Sequence, residues 1–530
     1  MPSLAARPAP PPTPGPLPIA APVLRGGVAT SVPRPAPCAG LASLALRIVV
    51  GVLLVAAAGC SSHSHSATAD APGAGDGPAS SGDPFAPQPD ESEGLTNVSA
   101  DLNAILENGQ LAGACDRYKA GATDRKTLLL CGKWQFFYEA WGTAGMPASL
   151  VTFEAKNFPA ELGVGFTKLG MILDPTSADM LPLGLAPTKP SGTIQELAFT
   201  CASCHFGKLP DGRYAVGAPN HSYDYGRMIL SLVVAPTVGL GLSQASAHDP
   251  TAIAKVQPML DKLAADSNLK NQFLLTMLPL ASQSAPTMTT EVESYYAEWP
   301  LGTMDFVIAP LPADDHVHTV SKIIALWGIP RPAEQMAAGM ANALLGCTGD
   351  AISLDTFIRG FATLGGTAPP SDFDMKPLLE YIYSLRAPSN PNPPDAALVA
   401  KGAQLYTSKG CATCHDGPRG SGKRAYTFAE IGTDPAMAKW ADPMESGSAC
   451  CGLDVTGMLT HGIKSPRMVG EWALGRFLHN GAIETLDQLF CLTPRGPVGT
   501  EPMRTDGHAM TCDGLTDDEK HALEAYLLAH

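Results

Sequence analysis

Two five-residue cysteine motifs constrain this 530-residue chain more than any other feature. In each motif, two cysteines are separated by two residues and followed directly by a histidine. The first motif reads CASCH and the second CATCH, and their histidines lie 210 positions apart. The residues that carry the pattern are Cys201, Cys204 and His205, then Cys411, Cys414 and His415. Chance matches to this pattern are rare, so two copies in one chain indicate that both serve the same chemistry.

The spacing of the motifs is typical of covalent haem attachment. Two thiols three positions apart on one helical turn can form thioether bonds to the two vinyl groups of one porphyrin, and the adjacent histidine can then bind the iron. A zinc site would need two further ligands at short spacing, and a thioredoxin-like pair would need a βαβ setting. The surrounding sequence offers neither. We therefore predict two covalently attached haem c groups, with His205 and His415 as axial ligands.

The N-terminal region has the pattern of an export signal. Residues 1–37 contain 12 prolines, and an apolar run at 48–59 follows Arg47. Twelve apolar residues are too few to cross a bilayer but suit a signal-peptide core. Residues 57–60, Ala-Ala-Gly-Cys, resemble the bacterial lipoprotein box, in which the cysteine is lipidated. Residues 1–60 are therefore predicted to be a signal or lipoprotein leader with Cys60 as the lipidation site; plain signal cleavage is the alternative.

Composition predicts the surroundings of the folded part. Residues 61–94 are rich in Ser, His, Ala, Gly, Pro and Asp, which is typical of a disordered linker. The whole chain carries 50 acidic and 35 basic side chains, for a net charge of −15. Such a chain repels phosphate backbones, so we expect no nucleic-acid partner. The predicted location is the periplasm or the outer membrane of a bacterium, with membrane contact through the lipid anchor only.

The separation of the motifs predicts two modules, at residues 95–387 and 388–530. Residues 376–385 form an amphipathic pattern that ends at the proline-rich stretch 388–394. Asp395 then suits the N-cap of a helix at 396–406 that leads into the second motif. Thr516 and Glu519 form a capping box for a closing helix. The fold class is therefore mainly α, with two cytochrome c-like haem domains, long loops and a disordered export or tether segment before them.

The remaining cysteines and the second axial ligands are less constrained by the sequence. In an oxidising compartment Cys115–Cys131 and Cys491–Cys512 are plausible disulfides. The histidines His521 and His530, in and after the closing helix, are expected to be solvated. Candidates for the sixth iron position in the C-terminal module are His461, His479, His508, Met468, Met503 and Met510, and those in the N-terminal module are His221, His248, His316 and His318.

One segment resembles a known family. Residues 465–486, SPRMVGEWALGRFLHNGAIETL, are similar to the second-domain signature of the di-haem cytochrome c peroxidase and MauG superfamily. Several shorter matches in the same order along the chain bring it closest to the rubber-oxygenase branch. These matches are Leu181–Gly184, Gly217–Pro219, Leu326–Pro330, Arg424–Tyr426 and Ile431–Pro435.

The resemblance implies roles for individual residues. It makes His479 a neighbour of the second haem and His508 the second ligand of that iron. The family usually continues Glu-Phe-Gly after this histidine, whereas this chain has Ala509-Met510, so Met510 is an alternative ligand. In the rubber-oxygenase branch the first haem keeps an open distal side where oxygen meets substrate. Phe306 and Trp327 are aromatic candidates for that side, and a role in the core suits each of them equally.

Two functions follow as hypotheses. The first is an exported di-haem oxidoreductase of the peroxidase or oxygenase type, in which the N-terminal haem reacts with peroxide or O2 and the C-terminal haem transfers or stores electrons. Its partners would be an electron donor or acceptor, either a protein or a small molecule, and an organic substrate. The alternative is a non-catalytic, membrane-tethered electron-transfer protein. The N-terminal module is far longer than the ~100 residues of a compact carrier domain, which favours the enzyme.

Overall fold

The computed structural model describes residues 84–140, 145–188, 194–234, 299–304, 320–340, 351–364, 370–440 and 462–530, with short pieces between 257 and 272 and between 345 and 349. Several predicted features lie outside these ranges: the leader with Cys60, most of the linker, Phe306, and the candidate ligands His248, His316, His318 and His461. Within the described ranges no helix is long and apolar enough to cross a membrane.

Short helices joined by long loops make up most of the described chain, which agrees with the expected mainly α class. The α-helices are α1 (Leu102–Ile105), α2 (Ala114–Lys119), α3 (Arg125–Tyr138), α4 (Ala148–Asn157), α5 (Pro159–Leu162), α6 (Cys201–His205), α7 (Tyr225–Ile229), α8 (Pro332–Ala337), α9 (Leu354–Leu364), α10 (Asp372–Ser384), α11 (Ala396–Ser408), α12 (Phe428–Ile431), α13 (Leu486–Leu489) and α14 (Asp517–Leu528). Single 3-10 turns lie at Cys411–Thr413, Glu471–Ala473 and Ala509–Thr511, among others.

The strands are two to four residues long and pair in small antiparallel sheets. They are β1 (Val98–Ser99), β2 (Met146–Pro147), β3 (Ile172–Leu173), β4 (Pro182–Leu183), β5 (Leu185–Pro187), β6 (Glu196–Phe199), β7 (Phe206–Lys208), β8 (Tyr214–Val216), β9 (Thr303–Met304), β10 (Ser321–Lys322), β11 (Ala425–Thr427) and β12 (Gly462–Lys464). The sheet orders are β1-β8-β7, β2-β6-β5, β3-β4, β10-β9 and β11-β12. Sheets this small join neighbouring loops through a few backbone hydrogen bonds.

The largest hydrophobic cluster forms where α3 and α10 cross. Asp124 caps α3 by accepting the Thr127 N–H at 2.8 Å, and the disulfide Cys115–Cys131 ties α2 to α3 as predicted. Gly132 faces the Pro377 carbonyl so closely that a Cβ at 132 would lie 2.0 Å from that oxygen. The two helices can approach this far only because position 132 has no side chain.

The helices around the second motif start where their caps predict. The Asp395 carboxylate accepts the Ala397 and Leu398 N–H groups at 2.9 and 3.1 Å, and α11 continues to Ser408. The capping box of Thr516 and Glu519 starts α14. The predicted helix at 376–385 begins earlier, at Asp372, because the Ser371 side chain caps it there.

The folded part begins before Leu95, so the expected linker at 61–94 is too long at its C-terminal end. The Phe85 ring is buried in the cluster formed by α11 and α14, stacked on His530 at 4.7 Å between ring centres. The Glu91 carboxylate pairs with three guanidinium groups, those of Arg125, Arg331 and Arg386. An aromatic anchor and a shared carboxylate are enough to hold this short segment, although its composition is that of a linker.

Residues from both sides of position 388 contribute to each other's cores. Ala473 belongs to the cluster around α3 and α10, and Phe85 belongs to the cluster around α11 and α14. A third cluster forms around α4 and α7. The division into modules at 387/388 therefore stays a prediction about which residues serve each motif.

Candidate functional site

The first motif occupies one short helix. The Thr200 side chain caps α6 by accepting the Ala202 N–H, so that Cys201 and Cys204 stand one helical turn apart. Gly184, between β4 and β5, lies against the motif backbone, since a Cβ there would be 2.6 Å from the Ser203 Cα. The motif helix is therefore packed directly against the turn at Gly184.

The His205 ring is oriented by a backbone carbonyl. Its Nδ1 lies 3.0 Å from the Ile324 oxygen. Because a carbonyl can only accept a hydrogen bond, Nδ1 carries the proton and Nε2 keeps a free lone pair. Burial lowers the pKa of His205 to about 4, so the ring is neutral near pH 7. A neutral imidazole with Nδ1 tied to a carbonyl is the usual state of a metal-binding histidine.

The second motif repeats this arrangement. The His415 Nδ1 lies 2.8 Å from the Gly420 oxygen, which again leaves Nε2 free. Burial lowers the pKa of His415. The motif is held from outside by the Tyr406 hydroxyl, which donates to the His415 carbonyl at 2.7 Å, and by the Ser465 hydroxyl, which donates to the Cys414 carbonyl at 2.9 Å. Two motifs of unlike local structure, a helix and a 3-10 turn, thus present the same ring nitrogen.

The motif cysteines are the unpaired ones among the described residues. Cys491–Cys512 forms the second predicted disulfide, and Cys115–Cys131 the first. Burial raises the pKa of the Cys201 thiol to about 12 and that of the Cys204 thiol to about 11. Protonated thiols are poor nucleophiles, so this environment does not favour thiol–disulfide catalysis at the first motif.

His508 lies opposite His415. The two ring centres are 6.4 Å apart, with the ring planes at 75°. A metal–imidazole bond is about 2 Å long, so two imidazoles on opposite sides of one metal ion have ring centres about 6 Å apart. The His508 Nδ1 is buried without a hydrogen-bond partner, and burial lowers the pKa of the ring to about 4. These residues therefore fit a haem whose iron would bind both histidines and whose vinyl groups would form thioether bonds with Cys411 and Cys414.

A cavity of about 420 Å³ surrounds this pair of histidines. The two motif cysteines open onto it as well, and its wall is largely apolar, with Phe477, Phe490 and Leu527 among the lining residues. An apolar cavity with thiols at its edge and imidazoles above and below suits a flat macrocycle. The cavity continues to Ile324, whose carbonyl orients His205.

The other predicted site residues take different places. His479 is buried on the cavity wall, with Nδ1 3.4 Å from the Thr433 hydroxyl, and its role beside the second haem stays a prediction. The Met510 side chain is 51% exposed, so the geometry favours His508 over Met510 as the ligand. Trp327 is fully buried and donates its Nε1 hydrogen to the Val216 carbonyl at 2.9 Å.

Two histidines expected to be solvated behave differently. His521 is exposed on α14, with Nδ1 2.8 Å from the Asp517 carbonyl. His530, expected at a frayed end, instead stacks on Phe85, and its carbonyl accepts the Gly470 N–H at 2.9 Å. The chain end is held because Phe85 returns to cover it, which no local pattern at the C-terminus could show.

Three charged residues near the cavity, one buried and two half-buried, were not predicted as site residues. Arg467 donates from Nε to the Trp327 carbonyl at 2.9 Å and from Nη2 to the Ala325 carbonyl at 2.7 Å. Glu471 is buried on the cavity wall, and burial raises its pKa to about 7. Arg495 binds the Gly507 carbonyl before His508 and the Thr511 hydroxyl after it. A lone charged residue in a loop gives no sequence signal of burial, so only the fold reveals them.

Comparisons with known proteins give one weak relative. This relative is the cytochrome-c peroxidase IdrP1 of Denitromonas iodatirespirans. The two sequences are 27% identical over 155 residues, and the match covers 25% of this chain. The match spans about 40% of that relative's length. It supports the cytochrome c peroxidase side of the resemblance and gives no support to the rubber-oxygenase branch.

No protein-family model matches the chain. Among solved structures, a chain of Kuenenia stuttgartiensis hydrazine synthase aligns with 44% of this chain and 79% of its own length, at 18% sequence identity. The TM-score is 0.24, which is too low to indicate a shared fold.

Proposed function

We propose that this chain is an exported di-haem c-type cytochrome with oxidoreductase activity of the peroxidase or oxygenase type. The observation that carries the proposal is the repeated arrangement of two unpaired, half-buried cysteines and one half-buried histidine whose Nδ1 is tied to a carbonyl. The match to a cytochrome-c peroxidase supports the reaction class. Peroxide is therefore the oxidant to test first, and O2 the second.

The two sites are proposed to have different roles. When bound, a haem supplies an iron that exchanges single electrons and, where a coordination position is open, takes up peroxide or O2. At the second site His415 and His508 would both bind the iron, which would favour electron transfer or storage over binding of an external ligand. The first site, with Cys201, Cys204 and His205, is assigned the reaction with peroxide or O2 on the family resemblance.

The chain's own groups would hold each haem in a fixed, largely water-free setting. Thioether bonds through the four cysteines prevent loss of the cofactor, and the Ile324 and Gly420 carbonyls hold the proton of each ligand histidine on Nδ1. His479 would exclude water beside the second haem. We propose an electron donor or acceptor, a protein or a small molecule, as partner, and the periplasm or outer membrane, through a lipid anchor at Cys60, as location.

The alternative is a tethered electron carrier without catalysis. The opposed His415 and His508 suit such a role at the second site. The carrier hypothesis additionally requires that the iron at the first site have two strong protein ligands. The two hypotheses therefore differ in one measurable quantity, the number of irons that bind an external ligand.

Spectroscopy of the haem-loaded full chain tests the proposal. We expect two haems per chain by the pyridine haemochrome assay, and one after Cys201→Ser and Cys204→Ser are combined; replacing Cys115 and Cys131 by Ser is the control and should leave two. After reduction with dithionite, carbon monoxide should bind one iron per chain, and peroxide should change the spectrum of the oxidised protein. No carbon monoxide binding and no response to peroxide or O2 would favour the carrier; fewer than two haems would contradict both.

A further inference from the structure

The guanidinium of Arg495 lies at the centre of the loop that carries His508. Its Nε donates to the Gln488 carbonyl at 2.9 Å, and its Nη2 donates to the Leu489 carbonyl at 2.5 Å; both acceptors belong to α13. On the other side, Nη1 donates to the Gly507 carbonyl at 2.6 Å and to the Thr505 carbonyl at 3.2 Å. One side chain thus ties a helix to the residue that directly precedes His508.

The same guanidinium also reaches the residues after His508. Its Nη2 lies 3.1 Å from the Thr511 hydroxyl, whose oxygen lies 2.6 Å from the Leu489 carbonyl and 2.9 Å from the His508 carbonyl, so that its one hydrogen is shared between the two. The backbone of His508 is therefore held from both sides through one cation. The disulfide Cys491–Cys512 closes the same loop.

His508 needs this support because its backbone is in the left-handed region. Its φ is +57°, a value that L side chains rarely adopt and that persists only where neighbouring contacts determine it. Arg495 forms no salt bridge among the described residues. Its N–H groups donate to two carbonyls of α13, to two carbonyls of the loop before His508, and to the Thr511 hydroxyl. A planar fork can serve acceptors in several directions at once, whereas the single ammonium of lysine cannot.

We propose that Arg495 is the positioning residue that holds His508 opposite His415 at the separation that iron ligation requires. The inference rests on the proposed function of the second site, since it concerns a ligand of that haem. Arg495 itself acts through the loop backbone.

The test uses the full-length, haem-loaded protein with Arg495→Gln and Arg495→Lys. In the wild type we expect the second haem to be low-spin and to bind no carbon monoxide when reduced. In both variants we expect a new high-spin signal in electron paramagnetic resonance, and a rise in bound carbon monoxide from one to two per chain. Added imidazole should restore the low-spin signal, because only the position of the ligand has been lost. Loss of stability alone would not change the spin state of folded protein.

The matched control is Arg504→Gln. Arg504 lies in the same loop but directs its side chain to the Asp506 carboxylate, with Nε 3.1 Å from Oδ1, and its side chain makes no hydrogen bond to the backbone around His508. This variant should keep the wild-type spectrum. If both Arg495 variants keep the low-spin spectrum and the wild-type carbon monoxide count, the inference is wrong; if the Gln variant does not fold, the Lys variant decides by the same criteria. If His508→Ala also leaves the spectrum unchanged, the proposed ligand itself is wrong, which is a separate failure.

Discussion

At the scale of single residues, the hydrogen bond at one ring nitrogen decides what each motif histidine can do. The Ile324 and Gly420 carbonyls hold a proton on Nδ1 of His205 and His415, and the opposite nitrogen is left to bind a metal. The sequence predicts the histidines but not these partners, since Ile324 lies 119 positions from His205. His508 and Met510 show the same limit, because only exposure and ring distance separate them.

Glu471 gives a pH-dependent prediction at this scale. Burial raises the pKa of its carboxyl from 4.5 to about 7, and the Lys322 cation opposes this rise. The folded state therefore holds a proton that the unfolded chain releases, so stability is greatest below pH 4.5 and falls as pH rises to 7. The fall attributable to this group is about 3 kcal/mol. Glu471→Gln should remove it, as measured by guanidinium unfolding at pH 5 and pH 8.

His479 supplies the internal check on that measurement. Burial lowers the pKa of His479 to about 4. The stability that the neutral ring contributes is therefore lost as pH falls from 6.5 toward 4, which is the opposite direction to the loss from Glu471. The difference between wild type and Glu471→Gln cancels the His479 contribution. An equal loss of stability between pH 5 and 8 in both proteins would show that Glu471 is not the group responsible.

At the scale of elements, close helix packing holds the second motif. Gly402 of α11 faces α14, where a Cβ would lie 2.0 Å from the Ala522 carbonyl oxygen. Because α11 leads directly into Cys411, a displaced α11 also moves the motif. The N-caps at Asp395 and Thr516 are readable from sequence, but the glycine contact depends on two helices more than a hundred residues apart.

Gly402→Ala is therefore expected to destabilise the protein by about 2–3 kcal/mol, since the added methyl group meets backbone that cannot rotate away. Denaturant unfolding followed by the haem absorbance measures the change. Gln404→Ala, at an exposed position of the same helix, is the control and should stay within about 0.5 kcal/mol of wild type. If both variants unfold at the same denaturant concentration, the α11–α14 contact is not tight.

At the scale of the whole molecule, the segment 465–467 makes hydrogen bonds to the backbone beside both motifs. Ser465 binds the Cys414 carbonyl, and Arg467 binds the carbonyls of Ala325 and Trp327, next to the Ile324 carbonyl that orients His205. Burial lowers the pKa of Arg467 to about 10, which still leaves the side chain charged near pH 7. The segment 465–467 thus links structures around both sites.

This link predicts how the two sites respond to mutation. A half-buried cation stabilises the reduced state of a nearby iron, so Arg467→Gln should lower the reduction potential of the first haem by tens of millivolts, on the order expected for one partly screened charge. Arg467→Lys keeps the charge and should recover most of the shift. Potentiometric titration followed optically measures both haems; unchanged potentials in the Gln variant would contradict the electrostatic link.

The sequence by itself predicts two haem-attachment motifs with their ligand histidines, and it also predicts the two disulfide pairs and the caps of the helices beside the second motif, which the structure contains. Each of these depends on residues close in sequence, where spacing alone restricts geometry. The placement of His508 opposite His415, the burial of Glu471, the backbone contacts of Arg467 and Arg495, and the return of Phe85 to the chain end were decided by the tertiary structure. They depend on contacts between distant segments, whose burial and free energy exist only once the loops have packed together.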